Sequence, residues 1–277
     1  MMTDMQAHPV NNLPLSIPLW PEGKTPFAGP EDGLFPRFTH YSPSDEYQTG
    51  VSVLILPGGG YSLVSTPKEG HRVAQLLTAH GIASGVLEYR HAPQRHPVPL
   101  TDAQRALRWM RVRAQDQGIA SGPVGVMGFS AGGHLAGTLA TQPEVEEGRV
   151  GDEVDAFPCR PDFAALIYPV VSFTEPWSHF GSRDNLLGPD ADPALTETLS
   201  IEKAVSSSTP PMFLFHTQAD GAVPVQNSLR LAEALTEHGV AVDLHVYAEG
   251  SHGIGLAANH AWGQLLLAWL EKLTPAG

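Results

Sequence analysis

The chain reads as an α/β fold, with one mostly parallel central sheet and helices on both of its faces. Two observations predict it. From Val51 onward, short apolar runs alternate with segments of helical periodicity, the pattern of successive β–α–β units. One of those runs, Val124 to Met127, passes through Gly128-Phe129-Ser130-Ala131-Gly132 into Leu135-Ala136-Gly137-Thr138-Leu139-Ala140. That is a strand, a sharp turn and a helix in immediate succession.

Taken in order, residues 1 to about 30 are rich in proline and polar groups and read as an irregular arm. Residues 31 to 277 read as a single domain. Phe35 to Tyr41 alternates and suits an edge strand, where proline is tolerated. Val51 to Leu56 is a buried strand. Glu69 to His80 is a helix, with Gly81 at its C′ position, and Ile82 to Tyr89 is the next strand. Leu100, Ala103, Leu107, Met110 and Ala114 recur at helical spacing, and Gly118 stops that helix. After the elbow strand and helix come strands at Asp162 to Val170 and Met212 to His216. Val225, Leu229, Ala232 and Leu235 mark a helix from Pro224 to Gly239. Asp243 to Tyr247 is the last strand and His260 to Leu273 the last helix. One interval breaks the alternation. Ser172 to Pro211 spans about forty residues with little periodicity, long enough to be functional. It is expected as a partly helical cap, because in such sheets ligands bind beyond the carboxyl ends of the strands.

Composition narrows the function. The 277 residues are 42% hydrophobic, which suits a folded core. Lys and Arg number 16 against 29 Asp and Glu, a net charge of −13. A nucleic-acid backbone or an anionic membrane surface is therefore not expected as a partner. One cysteine, Cys159, allows no intramolecular disulfide and reads as a packed thiol. No run of about 18 apolar residues would span a membrane. Met1 to Val10 has neither a basic nor an apolar signal region, so a cytoplasmic location is expected, with a processed secreted form as the alternative.

The chemistry starts at Ser130. Glycines two residues to either side match the G-x-S-x-G nucleophile elbow, and the N-terminus of the following helix favours negative charge beside it. A serine hydroxyl needs a base, and the base an orienting acid. Around such an elbow they follow in the order Ser, acid, His. Asp220 is the only carboxylate between the strand Phe213 to His216 and the next helix, though aspartate is also a common turn residue. His252 stands on the loop after the last strand, flanked by Gly250 and Gly253. Of the other histidines, His134 lies one turn into the elbow helix and reads as a structural hydrogen-bonding group. His216 and His245 lie in strands, without the loop placement a base needs. Pro57-Gly58-Gly59-Gly60-Tyr61 follows a strand, and its glycines let backbone N–H groups point inward. With Ala131, one or both of Gly59 and Gly60 would form an oxyanion hole. No G-K-[ST] follows this loop, and neither the dinucleotide fingerprint nor H-E-x-x-H occurs. No cofactor and no catalytic metal are expected.

These residues resemble the α/β-hydrolase superfamily, and within it the bacterial acetyl-esterase/lipase group that includes carbohydrate acetyl esterases and bifunctional acetyl/feruloyl esterases. The resemblance covers roughly residues 15 to 273. It rests on Leu19-Trp20-Pro21-Glu22-Gly23, the Pro57 to Tyr61 loop, Glu88-Tyr89-Arg90, Gly128 to Leu135, Gly181 to Gly188, the Asp220 loop and Gly250-Ser251-His252-Gly253. Two positions depart from it. Pro57 stands where hormone-sensitive-lipase-like esterases usually have a histidine, and Ala219 where many relatives carry a second aspartate. The resemblance implies hydrolysis of small acyl esters, often acetyl groups on xylose-based sugars. A general short-chain carboxylesterase, a feruloyl esterase, an amidase or peptidase, and a non-catalytic relative are the alternatives. Only 8% of residues are aromatic and no long apolar segment would line a lipid tunnel. Substrate contacts are expected from Tyr61, Trp177 and Arg183, in a cap that also offers His179, Ser182 and Asn185. Arg183 reads equally as a tie between cap and core.

Overall fold

The computed structural model describes residues 13–28, 35–116, 122–144, 148–256 and 260–274. An eight-stranded sheet runs through it in the order β1-β2-β4-β3-β5-β6-β7-β8. The strands are β1 (Leu15–Pro18), β2 (Arg37–Tyr41), β3 (Ser52–Leu56), β4 (Ala83–Glu88), β5 (Val124–Phe129), β6 (Ala164–Ile167), β7 (Met212–Thr217) and β8 (Val242–Tyr247). β4 to β8 and β3 are parallel in every pairing among themselves, whereas β1 and β2 are antiparallel to their neighbours.

The parallel strands are apolar throughout because both faces are covered. Side chains alternate between two cores. Leu54 and Leu56 of β3 pack with α2 (Val98–Asp116), α3 (Ser130–Thr141) and α6 (Gln226–Glu237). Val53 and Ile55 face the other way, toward α1 (Arg72–Ala79) and α7 (Trp262–Glu271). On that second face Trp262 stacks on Phe215 and meets Phe129 edge-on. Among the described residues no helix is long and apolar enough to cross a membrane.

Three expectations change here. The arm is not irregular throughout: residues 15–18 form β1, pairing Leu15 with His40 and Pro18 with Arg37. Phe35 to Tyr41 therefore does not give an edge strand, because β2 lies between β1 and β4. The reason is tertiary. Trp20 is buried and donates from Nε1 to Asp102 at 2.8 Å, and the Leu19 carbonyl accepts from Trp109 at 3.2 Å. Asp102 also binds Arg90 at 2.7 Å, and the Arg90 guanidinium reaches the Pro26 carbonyl. The arm is thus pinned by a fully buried ion pair. Finally, the segment predicted as a helix from Glu69 starts as a π-helical turn, Thr66–His71, and becomes α-helical only at Arg72. The predicted stop at Gly118 lies outside the described residues.

The interval 172–211 is partly helical, containing α4 (Phe180–Leu187), α5 (Pro193–Thr198) and a single 3₁₀ turn, Ile201–Lys203. It enters between β6 and β7 at the carboxyl ends of the strands.

Candidate active site

Ser130 follows β5 directly and begins α3 with a backbone φ of +53°, in the left-handed region that side chains avoid. The strain is imposed by crowding. A Cβ at Gly132 would lie 2.2 Å from the Leu56 carbonyl oxygen, so only glycine lets the turn sit against β3. Ser130 is 7% exposed, set at the floor of the site.

Its Oγ lies 2.8 Å from His252 Nε2, and His252 Nδ1 lies 2.6 Å from Asp220 Oδ2. The carboxylate only accepts, so Nδ1 carries the proton and Nε2 is left to accept from the serine hydroxyl. Asp220 Oδ1 takes the N–H groups of Ala222 and Val223, each at 2.9 Å. Burial works to raise the Asp220 pKa. Hydrogen bonds from His216 and His252, the Val223 N–H and the charge of His252 outweigh it and hold the carboxyl well below the usual range. His216 is the unforeseen partner here. It ends 3.5 Å from Asp220 Oδ2, with its ring fixed between Ser228 Oγ and the Val223 carbonyl, both at 2.8 Å.

The glycine loop comes in beside Ser130. Gly59 and Gly60 have φ of +139° and +64°. A Cβ at Gly59 would fall 2.1 Å from the Leu63 carbonyl oxygen. The Gly58 N–H donates to Glu69 Oε2 at 2.9 Å. Among the described residues the N–H groups of Gly59 and Gly60 donate to no protein acceptor. The Ala131 N–H lies in the first turn of α3, where a helix offers no acceptor of its own.

The cap residues divide. Asn185 donates to the Gly60 carbonyl at 2.8 Å, and Ser182 is fully buried facing the same loop. His179 caps α4, accepting the Ser182 N–H at Nδ1. Burial lowers its pKa, the charge of His252 lowers it further and Asp220 opposes, which puts it within electrostatic reach of both. The three residues expected to contact substrate are placed otherwise. The Tyr61 side chain is turned into the core at 1% exposure, with its hydroxyl 2.8 Å from His134 Nδ1, so it anchors the loop instead. His134 is held at Nε2 by the Leu199 carbonyl and stacks on Phe173, tying loop, elbow helix and cap together. Trp177 lines a cleft of about 300 Å³ with Glu175, Glu202, Lys203 and Arg230, and Ser130, Asp220 and His252 do not line it. Arg183 folds back onto Asp184 at 2.7 Å and over the Phe180 ring, so it is committed within α4.

Sequence reasoning missed Glu69 and Tyr168. Glu69 is 4% exposed beneath the glycine loop, and its Oε1 accepts from the Tyr168 hydroxyl at 2.8 Å. The Tyr168 ring meets His252 edge-on at 5.1 Å. The legible signal was a glutamate beside Gly70 in the turn that leads into an amphipathic helix, which is weak on its own.

Residues 40–235 match the BD-FAE family. The chain belongs to the BD-FAE family. It is 34% identical over 236 residues to an acetylxylan esterase of Xylanibacter ruminicola, covering 82% of this chain and 47% of that protein. A crystal structure of an acetyl ester-xyloside bifunctional hydrolase from Caldicellulosiruptor lactoaceticus shares 40% identity at a TM-score of 0.88, covering 95% of this chain and 97% of that one. MGS-M1, an alpha/beta hydrolase enzyme from a deep-sea metagenome library, is 29% identical at a TM-score of 0.67, covering 89% and 95%. The fold of this BD-FAE chain is the α/β-hydrolase fold. The chain spans about half the length of several curated relatives it matches.

Proposed function

We propose that the chain is a serine esterase that removes short acyl groups, foremost acetyl groups from xylose-based oligosaccharides. The observation that carries this is the chain of contacts Ser130–His252–Asp220, at 2.8 and 2.6 Å, beside a glycine loop whose N–H groups find no acceptor among the described residues. His252 takes the Ser130 proton as Oγ bonds to the ester carbonyl carbon. The carbonyl π electrons move to oxygen, where the N–H groups of Ala131 and of Gly59 or Gly60 meet the developing charge, each donor worth about 3 kcal/mol. Collapse expels the alcohol, protonated by imidazolium, and leaves the acyl-serine. Water, deprotonated by His252, then attacks and releases the acid. Asp220, with both oxygens already held, keeps the ring oriented and supports its positive form.

The sugar acetate is supported by the relatives named for acetylxylan and acetyl ester-xyloside chemistry. The half-buried polar side chains His179 and Asn185 of the cap, the latter bonded to the Gly60 carbonyl, fit a hydroxylated alcohol better than a lipid. The test is a hydrolysis panel of acetylated xylo-oligosaccharides, feruloyl esters and p-nitrophenyl acetate, butyrate and octanoate. The expected order of kcat/KM is acetyl above butyryl and far above octanoyl. Higher kcat/KM on octanoate than on acetate would overturn the short-acyl reading, and preference for feruloyl over acetyl esters would move the substrate class.

A further inference from the structure

Glu69 is a nearly buried carboxylate whose two oxygens accept from uncharged donors, the Gly58 N–H and the Tyr168 hydroxyl. Burying a carboxylate is costly, and an ordinary packing position in this turn would be filled by an apolar side chain at less cost. It is delivered by the π-helical turn Thr66–His71, a local geometry that often marks functional positions.

What Glu69 joins is specific. On one side it holds the peptide plane that precedes Gly58. The next plane is held too, because the Gly58 carbonyl accepts the Ser65 N–H at 2.8 Å, and Glu69 N donates to the Ser65 carbonyl at 3.0 Å. In a trans peptide the N–H points opposite the C=O, so fixing the Gly58 carbonyl fixes the direction of the Gly59 N–H. The Gly59 carbonyl is fixed in turn by the N–H groups of Ser62 and Leu63, which sets the Gly60 N–H. On the other side, Tyr168 accepts the Gly255 N–H at 3.1 Å while its ring stands against His252. Lys68, the neighbour of Glu69, donates to the Gly253 carbonyl of the same loop. One turn thus grips the glycine loop and the histidine loop, which lie far apart in sequence.

We propose that Glu69 is a positioning residue, holding the Gly59 and Gly60 N–H groups and the His252 ring in mutual register, so that it acts on turnover and not on substrate affinity. This rests on the serine-esterase reading above. The experiment compares Glu69→Ala, Glu69→Gln, Tyr168→Phe and Ser130→Ala on p-nitrophenyl acetate, with phenylboronic acid as a tetrahedral-adduct probe. Glu69→Ala is expected to lower kcat about 10²-fold with KM nearly unchanged, the size of a lost oxyanion donor. Its Ki for phenylboronic acid should rise in parallel. Glu69→Gln should recover part of the loss, because its amide oxygen still accepts the Gly58 N–H. Tyr168→Phe keeps that bond and loses only the His252 side, so a smaller loss in kcat is expected. Folded Glu69→Gln and Tyr168→Phe proteins with kcat within about threefold of the parent would overturn the proposal, as would a loss confined to KM or to Tm. Those two variants decide the matter should Glu69→Ala not fold. Full turnover by Ser130→Ala would instead sink the esterase reading and take this inference with it. Loss at Ser130 alone sinks only the role of Glu69.

Discussion

Ser130 combines two properties that pull against each other. Its φ of +53° is a conformation that costs a non-glycine residue about 1 kcal/mol or more, yet the same turn aims Oγ at His252. Ser130→Ala keeps the strain and removes the nucleophile, and kcat should fall by roughly 10³-fold or more. Near-normal turnover in a folded Ser130→Ala protein would end the serine mechanism. Ser130→Gly removes both. It should be equally inactive but melt above Ser130→Ala, since glycine adopts this φ freely; a lower Tm for the glycine variant would show the strain argument to be wrong. At Asp220 an amide would meet Nδ1 with either end and cannot support imidazolium. Asp220→Asn should therefore lose about 10²- to 10⁴-fold in kcat while folding normally. Glu249, exposed three residues before His252 on the same loop, is the rival carboxylate, and a crippled Glu249→Gln beside an active Asp220→Asn would make it the acid.

Among the elements, the glycine loop has a shape that leaves little freedom. Gly59 combines φ of +139° with a Leu63 carbonyl oxygen 2.1 Å from where a Cβ would be. Gly59→Ala must move the backbone, and the N–H groups of the loop move with it. The expected outcome is a Tm drop together with a kcat loss of about 10²-fold. Gly221 is the comparison: no atom lies within 4 Å of its would-be Cβ, and its φ is not in the left-handed region. Gly221→Ala should change stability by no more than about 0.5 kcal/mol. Thermal melts and kinetics of the two variants side by side check the argument, and equal effects would defeat it. The cap shares in the same element, because Asn185 bonds the Gly60 carbonyl and His134 bonds both Tyr61 and the Leu199 carbonyl.

For the molecule as a whole, buried titratable groups set an acid limit. His134 is pushed down to about 4, chiefly by burial, with the Leu199 carbonyl opposing and His96 assisting. His40 is likewise lowered to about 4 by burial and by the charge of Arg113. Unfolded histidine binds a proton near pH 6.5. Between about pH 6.5 and 4 the unfolded chain therefore binds more protons, and stability falls as pH falls, by up to about 3 kcal/mol per group. Asp220 adds loss at the acid end, because its depressed pKa contributes stability that is present above the ordinary carboxylate range and is lost as pH drops through the folded value. Tm should fall steadily from pH 6.5 to 4.5, and His40→Leu should flatten that slope. A Tm unchanged over this interval would refute the account.

The elbow, the Asp220 loop and the His252 loop were legible because each is a local pattern: a glycine-spaced serine between strand and helix, a lone carboxylate after a strand, a histidine between glycines. The alternation of apolar runs likewise announced the parallel sheet, since a strand covered on both faces must be apolar along its whole length. What the chain does across distance was not legible. β1 is four residues long and ends on proline, and only the burial of Trp20 against Asp102 makes it a strand. Tyr61 and Arg183 carry side chains suited to a ligand, but core burial claims one and Asp184 the other. Glu69 looked like the first residue of an amphipathic helix. Its place beneath Gly58 depends on a π-helical turn and on Tyr168, 99 positions away. Local sequence determines which groups a turn can present; which of them face one another is decided only when the sheet brings separate strand ends side by side.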